Sequence, residues 1–206
     1  AEHEVSVISA RSMLAELNRD RFHITLVGIS RDDVWRHIDE SSNVLASGVV
    51  DTDAAPRVLV DHNGGGMLVE GDDGSFERLP VDVVFPVLHG PHGEDGTVQG
   101  LLELAGIAAV GSGVAGSSVG MDKELSKRVF RAEGLPQLDY AVVRRSKWRA
   151  ESDTVLDELE ERLGFPMFVK PARMGSSVGV SRAHDRESLI VALGEAARFD
   201  NKMIVE

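Results

Sequence analysis

The spacing of apolar residues changes repeatedly along this chain, and that alternation restricts the fold more than any other feature. Ala10, Met13, Leu14 and Leu17 recur at the i, i+3, i+4, i+7 interval of a helix with one buried face. Phe22 to Ile29 alternates and is rich in β-formers, so it reads as a strand. Val81 to Leu88 is a near-continuous apolar run, the pattern of a strand covered on both faces. Val98, Leu101, Leu102 and Ala105 share a helical face that stops at Gly106, and Ile107 to Val110 reads as a short strand. Met121, Leu125 and Val129 predict a helix ending at Gly134, and Asp139 to Arg144 a strand. Val155, Leu156, Leu159 and Leu163 line a helix stopped by Gly164. Strands are predicted at Phe165 to Lys170 and Val178 to Ser181, then a helix on Leu189, Ala192, Leu193 and Ala196, then a terminal strand. Residues 40–80 are rich in glycine and aspartate, including Asn63-Gly64-Gly65-Gly66 and Gly71-Asp72-Asp73-Gly74, and read as hairpins and loops. The whole predicts an α/β chain: an open, mostly parallel sheet over residues 1–111, then a smaller α+β unit over 112–206, joined at Gly111-Ser112-Gly113.

Composition narrows the function. The 206 residues carry a net charge of -12 and no basic block, which argues against a nucleic-acid partner. With no cysteine, disulfides, thiolate metal sites and cysteine nucleophiles are excluded. No apolar run approaches the ~18 residues that span a bilayer, so no membrane partner is expected and the plain reading is cytoplasmic.

Two stretches concentrate chemistry. Phe168-Val169-Lys170-Pro171-Ala172-Arg173-Met174-Gly175-Ser176-Ser177-Val178-Gly179 delivers a lysine on a strand and follows it with a flexible loop. Gly175 and Gly179 allow close backbone approach. Ser176 and Ser177 add hydroxyls beside N–H groups, a donor set suited to phosphate oxygens. A hairpin with a surface lysine fits the same residues. His89-Gly90-Pro91-His92-Gly93-Glu94-Asp95-Gly96-Thr97 lies between a strand end and a helix start, where orphan N–H groups and about half a positive charge favour an anion. Capping by Asp95 or Thr97 explains part of it without any ligand. Glu2-His3-Glu4-Val5-Ser6 and Met121-Asp122-Lys123 read locally as helix-dipole acids and a solvated lysine. His23, His37, His62 and His184 have no metal-ligand spacing. No G-x-G-x-x-G follows a strand, which disfavours a nicotinamide enzyme.

Taken together and in order, these stretches, with Gly111-Ser112-Gly113-Val114 and Ile204-Val205-Glu206, resemble the D-alanine–D-alanine ligases of the ATP-grasp superfamily. The resemblance implies a Rossmann-like, pre-ATP-grasp sheet domain followed by an ATP-grasp subdomain. It implies ATP-dependent joining of two D-alanines through an acyl phosphate for peptidoglycan, with ATP and Mg²⁺ as cofactors and a homodimer as the assembly. Glu2 matches the glutamate that orients the first D-alanine's ammonium, Ser176 the serine that relays to it, and His89 the histidine near the reacting carboxylate. Lys123 and Lys170 match the phosphate-holding lysines. Gly175, Ser177 and Val178 belong to the loop that closes over the phosphates, and Glu206 matches the acid that meets the adenine amino group.

The family's glycine-rich strand before the first motif, and its region carrying the metal ligands, have no counterpart in this chain. The expectation is therefore a fragment that provides no metal ligand and has no ligase activity alone. A D-alanine–D-lactate-type or other ATP-grasp ligase, or a non-catalytic nucleotide-binding module, fits the same residues.

Overall fold

The computed structural model describes residues 2–41, 44–50 and 55–206. The chain forms two compact units, residues 1–114 and 115–206, each described by itself.

Unit 1 opens on helix α1 (His3–Glu16), with Val7 buried and Ala10, Met13, Leu14 and the capping Leu17 half-buried. Strands β1 (Leu26–Ile29) and β2 (Trp35–Ile38) pair antiparallel. The strand expected from Phe22 starts only at Leu26. Its register ends where Leu26 faces Ile38, because the Asp39 carboxylate next accepts the Ser41 N–H at 2.7 Å and turns the partner away. After helix α2 (Val44–Ser47) comes an antiparallel meander of β3 (Val58–Val60), β4 (Met67–Glu70) and β5 (Phe76–Leu79). Its turns fall on the glycine–aspartate clusters. Asp61 accepts from the N–H groups of Asn63 and Gly64 at 2.9 and 3.0 Å, and Gly66 and Gly74 take φ of 101° and 79°. The expectation of loops at 42–43 and 51–54 lies outside the described residues.

Strand β6 (Val83–Val84) pairs in parallel with β7 (Ala108–Ala109), and helix α3 (Thr97–Leu104) lies between them in sequence. Val98, Leu102 and Ala105 pack with Val58, Met67 and Leu79 as the core of this unit. The run Val81 to Leu88 is not the doubly covered strand its composition suggests. Val83 and Phe85 are 48% and 50% exposed. Pro86 has no N–H to continue a ladder, and the partner strand is only two residues long. The α/β class holds, but parallel pairing among the described residues is confined to β6 and β7.

Helix α4 (Val114–Met121) starts at the unit boundary, and α5 (Lys123–Ala132) follows. The single helix expected through Met121 and Val129 is broken at Asp122, whose carboxylate accepts the N–H groups of Glu124 and Leu125 at 3.0 and 3.2 Å and caps α5. Then come β8 (Ala141–Arg144), α6 (Arg145–Ala150), α7 (Ser152–Leu163), β9 (Met167–Pro171), β10 (Ser181–Ala183), α8 (Arg186–Phe199) and β11 (Lys202–Val205). The sheet runs β10-β9-β11-β8, antiparallel throughout. Successive residues face opposite sides. Val143, Met167, Val169, Ala183, Met203 and Val205 therefore face a core with α7 and α8. Phe168, Lys170, Lys202 and Ile204 belong to the other side. Strand β10 starts at Ser181 rather than Val178, because Ser176, Ser177 and Gly179 have φ of 46°, 58° and 68°, which no ladder tolerates.

Several ion networks tie the unit together, among them those of Lys202 and Asp200. Lys202 Nζ lies 2.6 Å from Asp122 and 2.8 Å from Glu124, so β11 grips the start of α5. Asp200 accepts from the Arg173 backbone N–H at 2.8 Å and from its guanidinium at 2.6 Å. Burial alone would raise the Asp200 pKa, but the Arg173 hydrogen bonds and charge hold it below the ordinary 3.8. The Lys202 hydrogen bond is the main reason the Glu124 pKa falls below 4.5. Burial opposes the Lys202 charge, yet Asp122 and Glu124 raise its pKa above 10.5.

Leu193 is fully buried. Leu193→Ala is expected to lower unfolding free energy by about 2–5 kcal/mol, read from urea midpoints; a loss within experimental error contradicts this core. Lowered carboxylate values mean that stabilisation is lost as pH falls through them, and the raised Lys202 value means a second loss above pH 10.5. Asp200→Asn should flatten the acid limb of a midpoint-against-pH plot, and an unchanged limb would show that Asp200 does not contribute to it.

Candidate functional site

Unit 1 holds an open cavity of about 840 Å³, within the size range of small-molecule sites. Glu2, Ser6, His89 and His92 line it together with Val7, Leu26 and Val87. Glu2 is the N-cap residue of α1. The Ser6 hydroxyl donates to the Glu2 carbonyl at 3.0 Å and accepts the His89 backbone N–H at 3.0 Å, so the helix start and the loop after β6 are joined by one side chain. The Ser9 hydroxyl meets His89 Nε2 at 2.8 Å. His3 Nε2 accepts the Val50 N–H at 2.9 Å, which places the His3 proton on Nδ1.

The loop of residues 89–97 is held from within. Glu94 accepts the Gly90 N–H at 2.6 Å, and Asp95 accepts those of His92 and Thr97, both at 3.0 Å. Burial works against the Asp95 charge, but the Thr97 and His92 hydrogen bonds prevail and its pKa is lowered. The N-cap of α3 is Gly96, with no side-chain cap, so neither Asp95 nor Thr97 caps the helix as expected; Asp95 accepts the Thr97 N–H from one position earlier, and both acids of the motif are used in shaping the loop that carries His89. Gly93 is needed for space: a Cβ there would come within 2.6 Å of the Leu88 Cβ.

In unit 2, α5 and β9 bring two lysines to the outer side of the sheet. The Lys123 N–H donates to the Ala172 carbonyl at 2.9 Å and its Nζ to the Met174 carbonyl at 2.6 Å, tying the helix start to the loop before Gly175. Burial, then the like charge of Lys170, lowers the Lys123 pKa. The charges of Asp200, Asp122 and Glu206 oppose that shift. Lys170 Nζ is bonded to Glu206 Oε1, and Lys127 Nζ forms an ion pair with Oε2 at 2.5 Å. Burial would raise the Glu206 pKa, but the two lysines outweigh it and the value is lowered. The Lys127 ammonium also sits 5.0 Å from the centre of the Tyr140 ring, as does the Arg131 guanidinium.

Gly175 and Val178 close a turn, with the Val178 N–H on the Gly175 carbonyl at 3.0 Å. Ser176 and Ser177 between them are both exposed and both left-handed, a conformation costing each non-glycine residue about 1–3 kcal/mol. Gly179 cannot be exchanged for want of space: its Cβ would approach Phe199 at 2.7 Å and Pro171 at 2.8 Å.

The structure therefore gathers Glu2 and His89 in unit 1. In unit 2 it gathers Lys123, Lys170 and Glu206 beside the loop of Gly175, Ser176, Ser177 and Val178. Ser9, Lys127 and Tyr140 were not read from the sequence. A signal for two of them existed. Glu2, Ser6 and Ser9 follow i, i+4, i+7 on α1, and Lys127 is one turn beyond Lys123 on α5. Tyr140 had none, since its role depends on a side chain folded back from another element.

Residues 1–112 match the family model described as D-ala D-ala ligase N-terminus, and residues 129–206 match D-ala D-ala ligase C-terminus. The chain is 46% identical over 205 residues to a D-alanine–D-alanine ligase of Heliobacterium modesticaldum, covering 100% of this chain and 56% of that protein. It is 42% identical to one from Acetivibrio thermocellus, covering 100% and 58%. Among solved structures, the VanG D-Ala:D-Ser ligase from Enterococcus faecalis superposes with a TM-score of 0.87 at 33% identity, covering 100% and 59%. The D-alanine–D-alanine ligase from Coxiella burnetii gives 0.85 at 32%, covering 100% and 60%. The chain thus spans little more than half the length of the relatives it matches. With both family models matched in sequence order, the chain belongs to the D-ala D-ala ligase family.

Proposed function

We propose that the protein carrying this sequence joins two D-alanines in a reaction driven by ATP. The observation that carries the reading is the paired placement of Lys123 and Lys170 beside a left-handed, serine-bearing loop, in a chain whose other unit holds Glu2 and His89 around a cavity. The reaction needs a carboxylate to attack the terminal phosphorus of ATP, with ADP leaving. The amine of the second D-alanine then attacks the acyl carbon, phosphate leaves, and the amine gives up a proton.

Catalysis of phosphoryl transfer is mostly positioning and charge neutralisation. Lys123 and Lys170 hold phosphate oxygens, and the loop from Gly175 to Val178 covers them and keeps water from the acyl phosphate. Glu206, kept ionised by Lys127 and Lys170, offers an acceptor for the adenine amino group. Glu2 pairs with the ammonium of the first D-alanine, and His89 donates to the reacting carboxylate. The lysines and loop fit a nucleotide triphosphate. Among the described residues no three acidic or histidine side chains converge to hold a magnesium ion.

D-serine as the second substrate is the alternative with support, from the 0.87 superposition on a D-Ala:D-Ser ligase. No described helix is long and apolar enough to cross a membrane; the family reading adds a cytoplasmic homodimer.

ATP should raise the thermal midpoint of the 206-residue chain by mass action. Lys123→Met and Lys170→Met should each weaken binding about tenfold to a hundredfold, the scale of a lost charged hydrogen bond. An undiminished shift in both variants refutes the phosphate role. At the relatives' full length, phosphate release should require D-alanine as first substrate, and comparing D-alanine, D-serine and D-lactate in the second position separates the two readings. The 206-residue chain alone should release none.

A further inference from the structure

His89 is held at two points by α1, and only one of them shapes the backbone. Ser6 takes the His89 backbone N–H, whereas Ser9 reaches the ring itself, at 2.8 Å from Nε2. Either partner can be the donor in that second bond, and the neighbouring serines bear on which one is. Ser6 and Ser12 each donate their hydroxyl proton to the carbonyl four residues back, at 3.0 and 3.1 Å. Ser9 makes no such bond to Val5, so its proton is available to the imidazole. The remaining ring nitrogen, Nδ1, has no hydrogen-bond partner among the described residues, and His89 lines the cavity. An imidazole that accepts at Nε2 carries its proton on Nδ1.

We propose that Ser9 is a positioning residue for His89: its hydroxyl donates to Nε2 and fixes both the ring orientation and the tautomer, so that Nδ1–H is the donor offered to a carboxylate oxygen in the cavity. This role deepens the ligase reading and rests on it for the identity of the ligand, but not for the tautomer. The partner of one ring nitrogen sets which state the other nitrogen presents. Without Ser9 the ring is free to turn and to carry its proton on Nε2, and the donor no longer points at the substrate in a single geometry. The residue falls at i+3 from Ser6 and i+7 from Glu2, so one helical face supplies the ammonium partner, the backbone anchor and the ring anchor.

The test uses the 206-residue chain with ¹⁵N-histidine and long-range ¹H–¹⁵N correlation spectra, His89 being identified by the signal lost in His89→Gln. In the unaltered chain Nε2 should resonate as the unprotonated nitrogen and Nδ1 as the protonated one. Ser9→Ala should move both toward averaged values, and Ser9→Thr, which keeps the hydroxyl, should restore the original pair. Circular dichroism and the thermal midpoint confirm that each variant folds, and alanine is if anything the better helix former. A merely structural serine would leave the ring nitrogens unmoved, so identical spectra in Ser9→Ala, or Nε2–H in the unaltered chain, overturn the proposal. Titration with D-alanine then separates the two ideas. Affinity about tenfold weaker in Ser9→Ala and recovered in Ser9→Thr supports both. A tautomer that responds to Ser9 in a chain whose His89 never responds to D-alanine upholds the Ser9 assignment and contradicts the substrate reading.

Discussion

The two-faced sheet of unit 2 is the constraint on which the candidate chemistry depends. Strand β9 buries Met167 and Val169 against α7 and α8, and strict alternation then obliges Phe168 and Lys170 to lie on the opposite side. Strand β11 sits between β9 and β8 and is buried along its whole length, with Ile204 opposite Lys170. A one-residue slip would turn Lys170 into the core and Val169 out of it. The hydrophobic core is therefore what aims the lysine, and the ion pairs of Lys202 with Asp122 and Glu124 place α5, and hence Lys123 and Lys127, over the same side.

Unit 1 solves its positioning problem with hydrogen bonds rather than with a sheet. Its parallel pair is only two residues long, and the run that follows contains Pro86. What fixes His89 is the polar stripe of α1 and the internally satisfied loop of Glu94 and Asp95. Polar side chains that would read as catalytic in isolation are used to hold one histidine. The two units thus represent two ways of making a site: charge displayed by register in one, and a side chain latched by a helix face in the other.

Much of this was legible in the sequence, and the reasons are physical. Helix α8 and the inward positions of Leu189, Ala192, Leu193 and Ala196 follow directly from their 3.6-residue period, and the meander turns from aspartate and glycine, which supply local acceptors and positive φ. Val81 to Leu88 misled, because an apolar run records hydrophobicity but not the length of the partner strand. The break at Asp122 was hidden because the apolar spacing continues straight across it. Val178 to Ser181 looked extended, since left-handed serines leave no compositional trace. Of the site, the residues within short motifs could be named, and Ser9 and Lys127 could have been found from helical spacing. Tyr140 required the fold.

Direct activation of a carboxylate is the central chemical claim, and an isotope can follow it. In the protein at its relatives' full length, D-alanine labelled with ¹⁸O in its carboxylate should transfer one labelled oxygen to the phosphate released from ATP, visible as an isotope shift in the ³¹P spectrum. Released phosphate carrying no label, while dipeptide still forms, would contradict an acyl phosphate and with it the roles proposed for Lys123, Lys170 and His89.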